Sequence, residues 1–353
     1  MKSMMDTVII GAGQCGLAIA YLLHQRDEEC LVLEGNSEPG SSWSHRWDSL
    51  ELFTPAEHDG LPGSRFPAKN GLYPTANQMV DYLQHYARNF QLPVHTNVQV
   101  GKLRVDPAGG FELETADGPI HTRRVVVATG GHQIPHIPTV AEKLDGSIRQ
   151  LHSSDYKNPD SVASGAVAVI GFGTSGAQIA CELATTHPVT LCGTPTPEVP
   201  ERLIRYAPVL YWFLIHHILT RGTPVGRKLA TKIGDHGSPL IRTSVADTEA
   251  AGVLRAGRIE DVLDGAMVTA EGEKLDVATV IWATGFRADF SWIEGLRTDA
   301  YGLPIHHRGI SEQFPGLGFM GLPFQYGLSS GIIGGVARDA GYLVRHLAFS
   351  RAS

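Results

Sequence analysis

The stretch Thr7–Glu34, TVIIGAGQCGLAIAYLLHQRDEECLVLE, decides the fold of this 353-residue chain. A short apolar run breaks into the pattern G-x-G-x-x-G at Gly11, Gly13 and Gly16, and the following residues have helical apolar spacing. In such a loop the first glycine permits a tight turn, the second lets the backbone approach a pyrophosphate, and the third lets the helix pack on the strand. The order strand, glycine loop, helix and strand therefore predicts a dinucleotide-binding unit.

The residues around this loop complete the predicted site. Glu34 ends the second apolar run, 18 residues after Gly16, where a carboxylate accepts hydrogen bonds from ribose hydroxyls. The free amides at the start of the helix would face the diphosphate. Cys15, inside the loop, is interpreted as a small residue packed beside the diphosphate, and Gly35 belongs to the same site.

A second copy of the pattern begins 160 residues after the first, with Gly171, Gly173 and Gly176 between the run AVAVI and another helical segment. Each copy leads to a strand-like run that ends in ATG, at Gly130 and Gly285, with offsets of 119 and 114 residues. The repeated order predicts an α/β fold with two Rossmann-like dinucleotide-binding domains. Two sites indicate one tightly held redox cofactor, FAD, and one nicotinamide that arrives and leaves.

The end of the second strand in the second unit bears on the choice of nicotinamide. The run VTLCG ends in Cys192 and Gly193 with no acidic residue, which leaves room for a 2′-phosphate. No arginine stands at this strand end, and the nearest cations in the sequence are Arg202 and Arg205. We therefore expect NADPH, with NADH as the open alternative.

Composition excludes several classes of function. The chain has 29 basic and 36 acidic side chains, and a net charge of −7 argues against nucleic-acid binding. Its four cysteines form no C-x-x-C pair, which excludes a zinc site of that spacing and the disulfide relay of thioredoxin-reductase-like enzymes. The pairs His216–His217 and His306–His307 lack further spaced ligands, so no metal site is predicted. The chain is expected to be cytoplasmic, without a transmembrane segment.

Outside the two motifs, five segments have recognisable patterns. The spacing predicts a helix over 77–90, short strands over 94–122, and a glycine-rich helix near 332–347, and the polar stretch 151–165 is interpreted as a linker. The apolar run Val209–Leu219, VLYWFLIHHIL, is 11 residues long and too short to span a bilayer. It is a candidate substrate-cavity lid, subunit contact of a homo-oligomer or membrane-surface helix, and burial in the core or an interface is the simplest interpretation.

The order of segments along nearly the whole chain is more specific than any one of them. GAGQCG, LEG, PGSSW, SLELFTP, YPTANQMVDYL, ATGG, HSSDY, GFGTSG, ATGF and PGLGFMGLP follow one another as in the single-component flavin-containing monooxygenases, which this chain resembles. That group includes N- and S-oxidising, auxin-forming and Baeyer–Villiger enzymes. The resemblance implies that NAD(P)H reduces FAD, that oxygen forms a flavin 4a-hydroperoxide, and that this species oxygenates a small, mainly apolar organic substrate.

The resemblance also implies a domain division and residue roles. An FAD domain of residues 1–158 and 286–353 would hold an inserted NAD(P)H domain of residues 159–285. Ser42, Trp43 and Leu52 would line the FAD, with Val98 beside the adenine and Gly130 closing the domain. The remaining predicted contacts are Thr174, Ser175 and Gly176 at the nicotinamide diphosphate, Thr284 and Gly285 at the second ATG crossing, and Gln325 beside the flavin or substrate.

Two residues are candidates for a catalytic role. His152 matches the histidine of the family fingerprint F-x-G-x-x-x-H, although five residues separate it from Gly146 and Leu144 replaces the aromatic residue. Thr54 lies near the place of the asparagine of the N- and S-oxidising branch. His152 would position the linker or sense the nicotinamide. The departures leave three alternatives open: an NAD(P)H oxidase or reductase without oxygenation, a Baeyer–Villiger ketone monooxygenase, and a non-enzymatic nucleotide-binding sensor.

Overall fold

A computed structural model describes residues 4–199, 204, 206–231 and 237–347 of the chain. The strands of the described residues are β1 (Met5–Ile10), β2 (Cys30–Leu33), β3 (Val94–His95), β4 (Val100–Val105), β5 (Phe111–Thr115), β6 (Ile120–Val127), β7 (Ile134–Pro135), β8 (Arg149–His152), β9 (Val167–Ile170), β10 (Val189–Cys192), β11 (Leu254–Ala256), β12 (Ile259–Leu263), β13 (Ala266–Thr269), β14 (Thr279–Trp282), β15 (Phe286–Arg287), β16 (His306–His307), β17 (Ile310–Ser311) and β18 (Leu317–Phe319). The α-helices are α1 (Gln14–His24), α2 (Ser41–Ser44), α3 (Ala76–Asn89), α4 (Thr174–Leu183), α5 (Pro208–Phe213), α6 (Pro224–Ala230), α7 (Val245–Ala250) and α8 (Ile333–Leu347).

The first sheet has nine strands, with β16-β17-β18-β6-β1-β2-β3 in order and the antiparallel pair β4–β5 joined to β6 through β5. Its centre is parallel, since Ile9 of β1 pairs with Val32 of β2 on one side and Val126 of β6 on the other. These residues are fully buried. Helices cover a parallel sheet on both faces, which is why its central strands are continuous apolar runs rather than alternating ones.

The second sheet is smaller and wholly parallel, in the order β11-β10-β9-β14-β8. The side chains of β9 and β14 are buried along their whole length, and α4 packs against β9 and β10. Two sheets with parallel central strands, each opened by a glycine loop and a helix, confirm the predicted α/β fold class with two Rossmann-like units.

One strand of the second sheet was not predicted. The segment 151–165 was interpreted as a linker, yet its first two residues end strand β8, whose Leu151 pairs with Ile281 of β14. β8 is an edge strand, and its Arg149 and Gln150 are exposed. An edge strand needs no continuous apolar run, so periodicity could not reveal it. β8 precedes the predicted boundary at residue 158 but pairs within the second sheet.

Two predicted helices are present with small shifts at their ends. The helix predicted over 77–90 is α3, Ala76–Asn89, which begins with a capping box formed by Thr75 and Gln78. The helix predicted near 332–347 is α8, which contacts α1. The short strands predicted over 94–122 are β3 to β6.

The apolar run 209–219 is only half buried. It forms α5 and a π-helical turn over Leu214–Ile218. Trp212 and Ile215 are buried, whereas Val209, Leu210 and Phe213 are 83%, 51% and 52% exposed. Burial in the core is therefore wrong for the outer face of this helix. Across the described residues, none of the helices combines the length and apolarity needed to cross a bilayer.

Candidate functional site

The first glycine loop, between β1 and α1, has a backbone that only glycine fits at two positions. Gly11 has φ +105°, and a Cβ on it would lie 2.9 Å from the carbonyl oxygen of Ala128. A Cβ on Gly16 would lie 1.9 Å from the carbonyl oxygen of Gly11, so α1 approaches the strand end as closely as backbone allows. By contrast, a Cβ on Gly13 would meet nothing within 4 Å. The loop is thus closely packed at its first and third glycines, and space is open beside its second glycine.

The open side of this loop fits a diphosphate. Gly13 is the N-cap of α1 and supplies no side chain to the helix amides, and the first turn contains no acidic residue. Cβ atoms on Gly35 and Gly130 would also meet nothing within 4 Å. Unpaired amides at a helix start are an anion site, and the three glycines leave the space for one.

Glu34 holds the first loop in place. Its buried carboxylate accepts the backbone N–H of Ala12 at 2.8 Å through Oε2, and the backbone N–H and side-chain amide of Asn36 at 2.9 and 2.7 Å through Oε1. A carboxylate offers about four acceptor positions, so one remains for a ribose hydroxyl. Val98 donates its N–H to the Glu34 carbonyl at 2.9 Å, which fixes it beside the same strand end.

The PGSSW segment forms a wall of the first loop. Gly40 donates its N–H to the Ala12 carbonyl at 3.0 Å, and the indole of Trp43 donates to Oε1 of Gln14 at 3.1 Å. The neighbouring Ser42 is exposed. Leu52 is buried, and its carbonyl accepts from Arg242 at 3.2 Å, a contact between residues far apart in the chain.

Two predicted contact residues are enclosed by protein. Burial raises the pKa of the Cys15 thiol to about 12, and its Sγ is 3.0 Å from where a Cβ on Gly321 would lie. Both facts agree with a packing role and with an unreactive thiol. Gln325 is fully buried, and its amide oxygen accepts the N–H of Leu322 at 3.4 Å. It therefore organises its own loop, and its place beside the flavin or substrate stays a prediction.

The second loop repeats the backbone turn of the first at its glycines. Gly171 has φ +115°, and a Cβ on it would lie 2.4 Å from the Ala283 carbonyl oxygen. A Cβ on Gly176 would lie 1.9 Å from the carbonyl oxygen of Gly171. Gly173 is the N-cap of α4, again without a side-chain cap. The same sequence pattern has produced the same turn and the same helix approach.

The surroundings of the second loop are different. A Cβ on Gly173 would lie 3.3 Å from the Ser238 carbonyl oxygen, and the buried hydroxyl of Thr174 donates to the Pro239 carbonyl. Ser175 is half-buried. Strand β10 ends at Cys192, whose pKa burial raises to about 12, and the next residue, Gly193, stands where the first loop has Glu34.

A cation that the sequence did not single out lies at the second loop. The guanidinium of Arg255, on β11, is 5.6 Å from the ring centre of Phe172, the residue between the first two glycines of the motif. It also pairs with Glu249 at 3.3 Å. Arg202 and Arg205, the nearest cations in the sequence, lie outside the described residues. Only the pairing of β11 with β10 brings Arg255 here, so distance along the chain gave no signal.

His152 connects the segment before β9 to Gly285, which follows strand β14. The backbone N–H of Ser154 donates to its Nδ1 at 3.1 Å, so Nε2 carries the proton and donates to the Gly285 carbonyl at 2.9 Å. Burial lowers the pKa of this imidazole and favours the neutral ring. Thr284, next to Gly285, donates its hydroxyl to the carbonyl of His136. Because both ring nitrogens are engaged within the protein, the geometry favours a positioning role.

Thr54 leads to a buried acid that the sequence did not reveal. Its hydroxyl donates to Oδ1 of Asp59, which is fully buried, while Oδ2 of Asp59 has no partner among the described residues. Burial raises the pKa of Asp59 to about 7. His58 and Gly60, on either side of Asp59, line an open cavity of about 520 Å³ together with His216.

Three side chains far from both loops come close enough to hold a metal ion. Ligand atoms of Asp106, Glu112 and His121 lie within 4.8 Å of one another. Asp106 accepts from His121 at 2.7 Å, and Glu112 pairs with Arg104 at 2.5 Å. These contacts balance the acidic charge within the protein, and we assign the cluster no metal. The prediction of no metal site stays a prediction.

Comparison with known proteins gives one family and several full-length relatives. Residues 8–201 match the family described as pyridine nucleotide-disulphide oxidoreductase. An uncharacterized CzcO-like oxidoreductase of Geobacillus kaustophilus is 36% identical over 350 residues, 98% of this chain and 99% of that protein. A probable indole-3-pyruvate monooxygenase of Arabidopsis thaliana, YUCCA8, is 30% identical over 81% of this chain and 76% of its own length. A flavin-containing monooxygenase from Stenotrophomonas maltophilia has a solved structure with TM-score 0.79, 28% identity and 98% of both chains covered.

Proposed function

The chain belongs to the pyridine nucleotide-disulphide oxidoreductase family and is an NAD(P)H-dependent flavoprotein oxidoreductase, and from this premise we propose that it is an FAD-dependent monooxygenase. Its co-substrates would be NAD(P)H and oxygen, and its substrate a small, mainly apolar organic molecule that is oxygenated at nitrogen, sulfur or carbon. The likeness to a probable indole-3-pyruvate monooxygenase and to a flavin-containing monooxygenase supports this class of reaction.

The observation that carries the proposal is the pair of matched glycine loops on two sheets whose central strands are parallel. Each loop places a helix start without a side-chain cap behind its second glycine, at Gly13 and at Gly173. One chain is thereby equipped for two dinucleotides, which a hydride transfer from a nicotinamide to a flavin requires.

We assign FAD to the first loop and the nicotinamide cofactor to the second. Glu34 would hold the FAD ribose, and the amides behind Gly13 its diphosphate. The amides behind Gly173 would hold the nicotinamide diphosphate. FAD, when bound, supplies hydride acceptance and oxygen activation. The protein orients the two cofactors. The neutral His152 connects the segment before β9 to Gly285 and so fixes the position of one unit relative to the other.

The domain division follows the two sheets. The pairing of β8 with β14 supports a boundary before Arg149, so that the inserted nicotinamide unit starts about one strand earlier than the predicted residue 159. The antiparallel pair β7–β15 joins the two segments that connect the units, one after Gly130 and the other after Gly285. This arrangement supports a discontinuous FAD unit completed by residues after 285.

The cysteines argue against disulfide chemistry, although the family description includes it. Burial raises the pKa of Cys15 and Cys192 to about 12 and that of Cys30 to about 11. Thiol–disulfide exchange needs a thiolate, and no C-x-x-C pair is present in the sequence. The acceptor of the electrons is therefore better sought in oxygen than in a protein dithiol.

The test is an oxygen-labelling experiment. The purified protein is checked for bound flavin, reduced without air by NADPH or NADH, and then given isotopically labelled oxygen with a panel of amines, sulfides, indoles and ketones. The proposal expects one labelled oxygen atom in a product detected by mass spectrometry. A labelled ester from a ketone would identify a Baeyer–Villiger enzyme. Nicotinamide oxidation that yields only hydrogen peroxide would identify an oxidase, and protein that cannot bind FAD would overturn the proposal.

A further inference from the structure

The charge of one surface segment is opposite to that of the whole protein. The segment 206–231, which we call the basic–apolar segment, contains α5, the π-helical turn and α6. It carries Arg221, Arg227 and Lys228 and no aspartate or glutamate, in a chain of net charge −7. In the sequence Arg202, Arg205 and Lys232 flank it and extend the excess of positive charge.

The same segment exposes large apolar side chains. Val209, Leu210 and Phe213 on α5 are 83%, 51% and 52% exposed, and Val225 on α6 is 59% exposed. Arg227 and Lys228 on α6 are exposed as well. An exposed group of large apolar side chains, in a segment that also carries exposed cations, marks an interaction surface. Its chemistry is that of helices that lie in the interface of a lipid bilayer.

The inner side of the segment is fixed to the protein, so its outer face is held outward. The carbonyl of Leu219 accepts the N–H of Leu328 at 2.9 Å, and Arg221 donates its N–H to the Tyr326 carbonyl at 2.7 Å. Arg338 of α8 donates to the carbonyl of His216 at 3.2 Å. The buried Trp212 stacks on His58, with ring centres 4.0 Å apart. These contacts anchor the segment to the loop before α8 and to α8 itself.

Other occupants of this face fit less well. A symmetric dimer would bring two copies of this positively charged segment into one interface, where their like charges repel. A lid over a substrate cavity would turn its apolar side chains inward, whereas only Trp212 and Ile215 of this helix are buried. An anionic lipid surface satisfies both properties, because it attracts arginine and lysine and accepts valine, leucine and phenylalanine below its headgroups.

We propose that the basic–apolar segment docks the protein on the surface of an anionic lipid bilayer. Val209, Leu210 and Phe213 enter the headgroup region, while Arg227 and Lys228 meet lipid phosphates. His216, on the inner side of the segment, lines the open cavity near Asp59, so docking brings that cavity close to apolar molecules dissolved in the bilayer. Only this last link to substrate supply rests on the proposed function.

The test is sedimentation of the flavin-loaded full chain with vesicles. One set of vesicles is phosphatidylcholine alone, and the other contains phosphatidylglycerol as well. We expect roughly tenfold tighter binding to the anionic vesicles, weakened by added salt. The double variant Arg227→Gln/Lys228→Gln should lose most of the preference for phosphatidylglycerol, and Val209→Gln/Phe213→Gln should weaken binding to both kinds of vesicle.

Matched controls lie outside the segment. Leu263→Gln removes another exposed apolar side chain, and Arg149→Gln another exposed cation, and both should bind vesicles like the parent protein. Far-ultraviolet circular dichroism and flavin content verify that each variant is folded. The proposal is overturned by equal binding to the two kinds of vesicle, by no binding, or by control variants that lose binding as the segment variants do. Self-association abolished by Val209→Gln/Phe213→Gln, without vesicle binding, would identify a subunit interface instead.

Discussion

The two glycine loops share a backbone and differ in what surrounds it. In both, the third glycine allows the helix to approach within contact of the first, and a Cβ would lie 1.9 Å from backbone oxygen at Gly16 and at Gly176. At the end of the neighbouring strand, however, Glu34 ties the first loop down through its carboxylate, whereas Gly193 at the corresponding position has no side chain to tie the second. Turn geometry is therefore set by the glycines, and the proposed retention of the ligand depends on the residues around them.

This difference gives a physical reason for one resident and one exchanging cofactor. A loop pre-organised by a buried carboxylate loses little freedom when a ligand binds, which favours tight retention. The second loop instead meets an exposed cation, Arg255, whose side chain is 44% exposed. An exposed cation favours discrimination between NADPH and NADH, and it favours exchange of the cofactor over its permanent retention.

The largest expected effect tests whether the two loops share their packing. Gly16→Ala and Gly176→Ala each place a methyl group into backbone, so each should cost about 5 kcal/mol of unfolding free energy or prevent folding. Gly13→Ala is the matched control and should cost less than about 1 kcal/mol, because nothing lies within 4 Å of its Cβ. Urea denaturation followed by circular dichroism measures all three. Equal stability of Gly13→Ala and Gly16→Ala would contradict the packing described.

A pH measurement sharpens the description of the first unit, which holds the buried Asp59. Its pKa is raised to about 7 from an ordinary value of 3.8, so between these pH values the folded protein binds a proton that the unfolded chain has lost. The free energy of unfolding should therefore fall as pH rises, by about 3 kcal/mol between pH 5 and pH 8. Asp59→Asn should remove this part of the slope, as judged from urea denaturation at both pH values. An unchanged slope would show that Asp59 ionises normally.

The next prediction concerns the hydrogen bonds of the Glu34 carboxylate, which the first loop has and the second lacks. Glu34→Gln replaces one acceptor oxygen by an amide facing donors, which should cost about 2 kcal/mol and weaken FAD retention by roughly tenfold or more. Cys192→Ser, beside the corresponding Gly193 in the second unit, should change FAD retention little. Equilibrium dialysis of FAD and thermal unfolding test the pair. FAD retention that is equal in the two variants would remove the proposed basis for cofactor residence.

The smallest effect concerns the second loop. Arg255→Gln should raise the KM for NADPH about fivefold while leaving that for NADH nearly unchanged, since a 2′-phosphate gains from a nearby cation. Glu249→Gln, which frees Arg255 from its ion pair, should act in the opposite direction. Steady-state reduction with each nicotinamide measures both. A loss that is equal for NADPH and NADH would place Arg255 outside the 2′-phosphate site.

What the sequence could predict was local. The glycine spacing predicted both turns, and apolar periodicity predicted α3 and α8 within about two residues, because these features depend on neighbouring residues. Edge strand β8 was not predicted because its exposed Arg149 and Gln150 are as polar as the residues of a linker. The position of Arg255 depends on strand pairing, and the burial of Asp59 depends on packing, so neither is written in the local sequence.

The individual ligand contacts of the cofactor loops stay predictions, and one measurement tests the central claim about them. Gly13→Val places a side chain into open space and Gly173→Val places one 3.3 Å from the Ser238 carbonyl oxygen, both at backbone angles that suit any residue. FAD content and NADPH affinity are then measured for both variants. The account predicts that Gly13→Val loses FAD, whereas Gly173→Val keeps FAD and binds NADPH about tenfold more weakly. Equal loss of FAD from both variants would contradict the assignment of two separate dinucleotide sites.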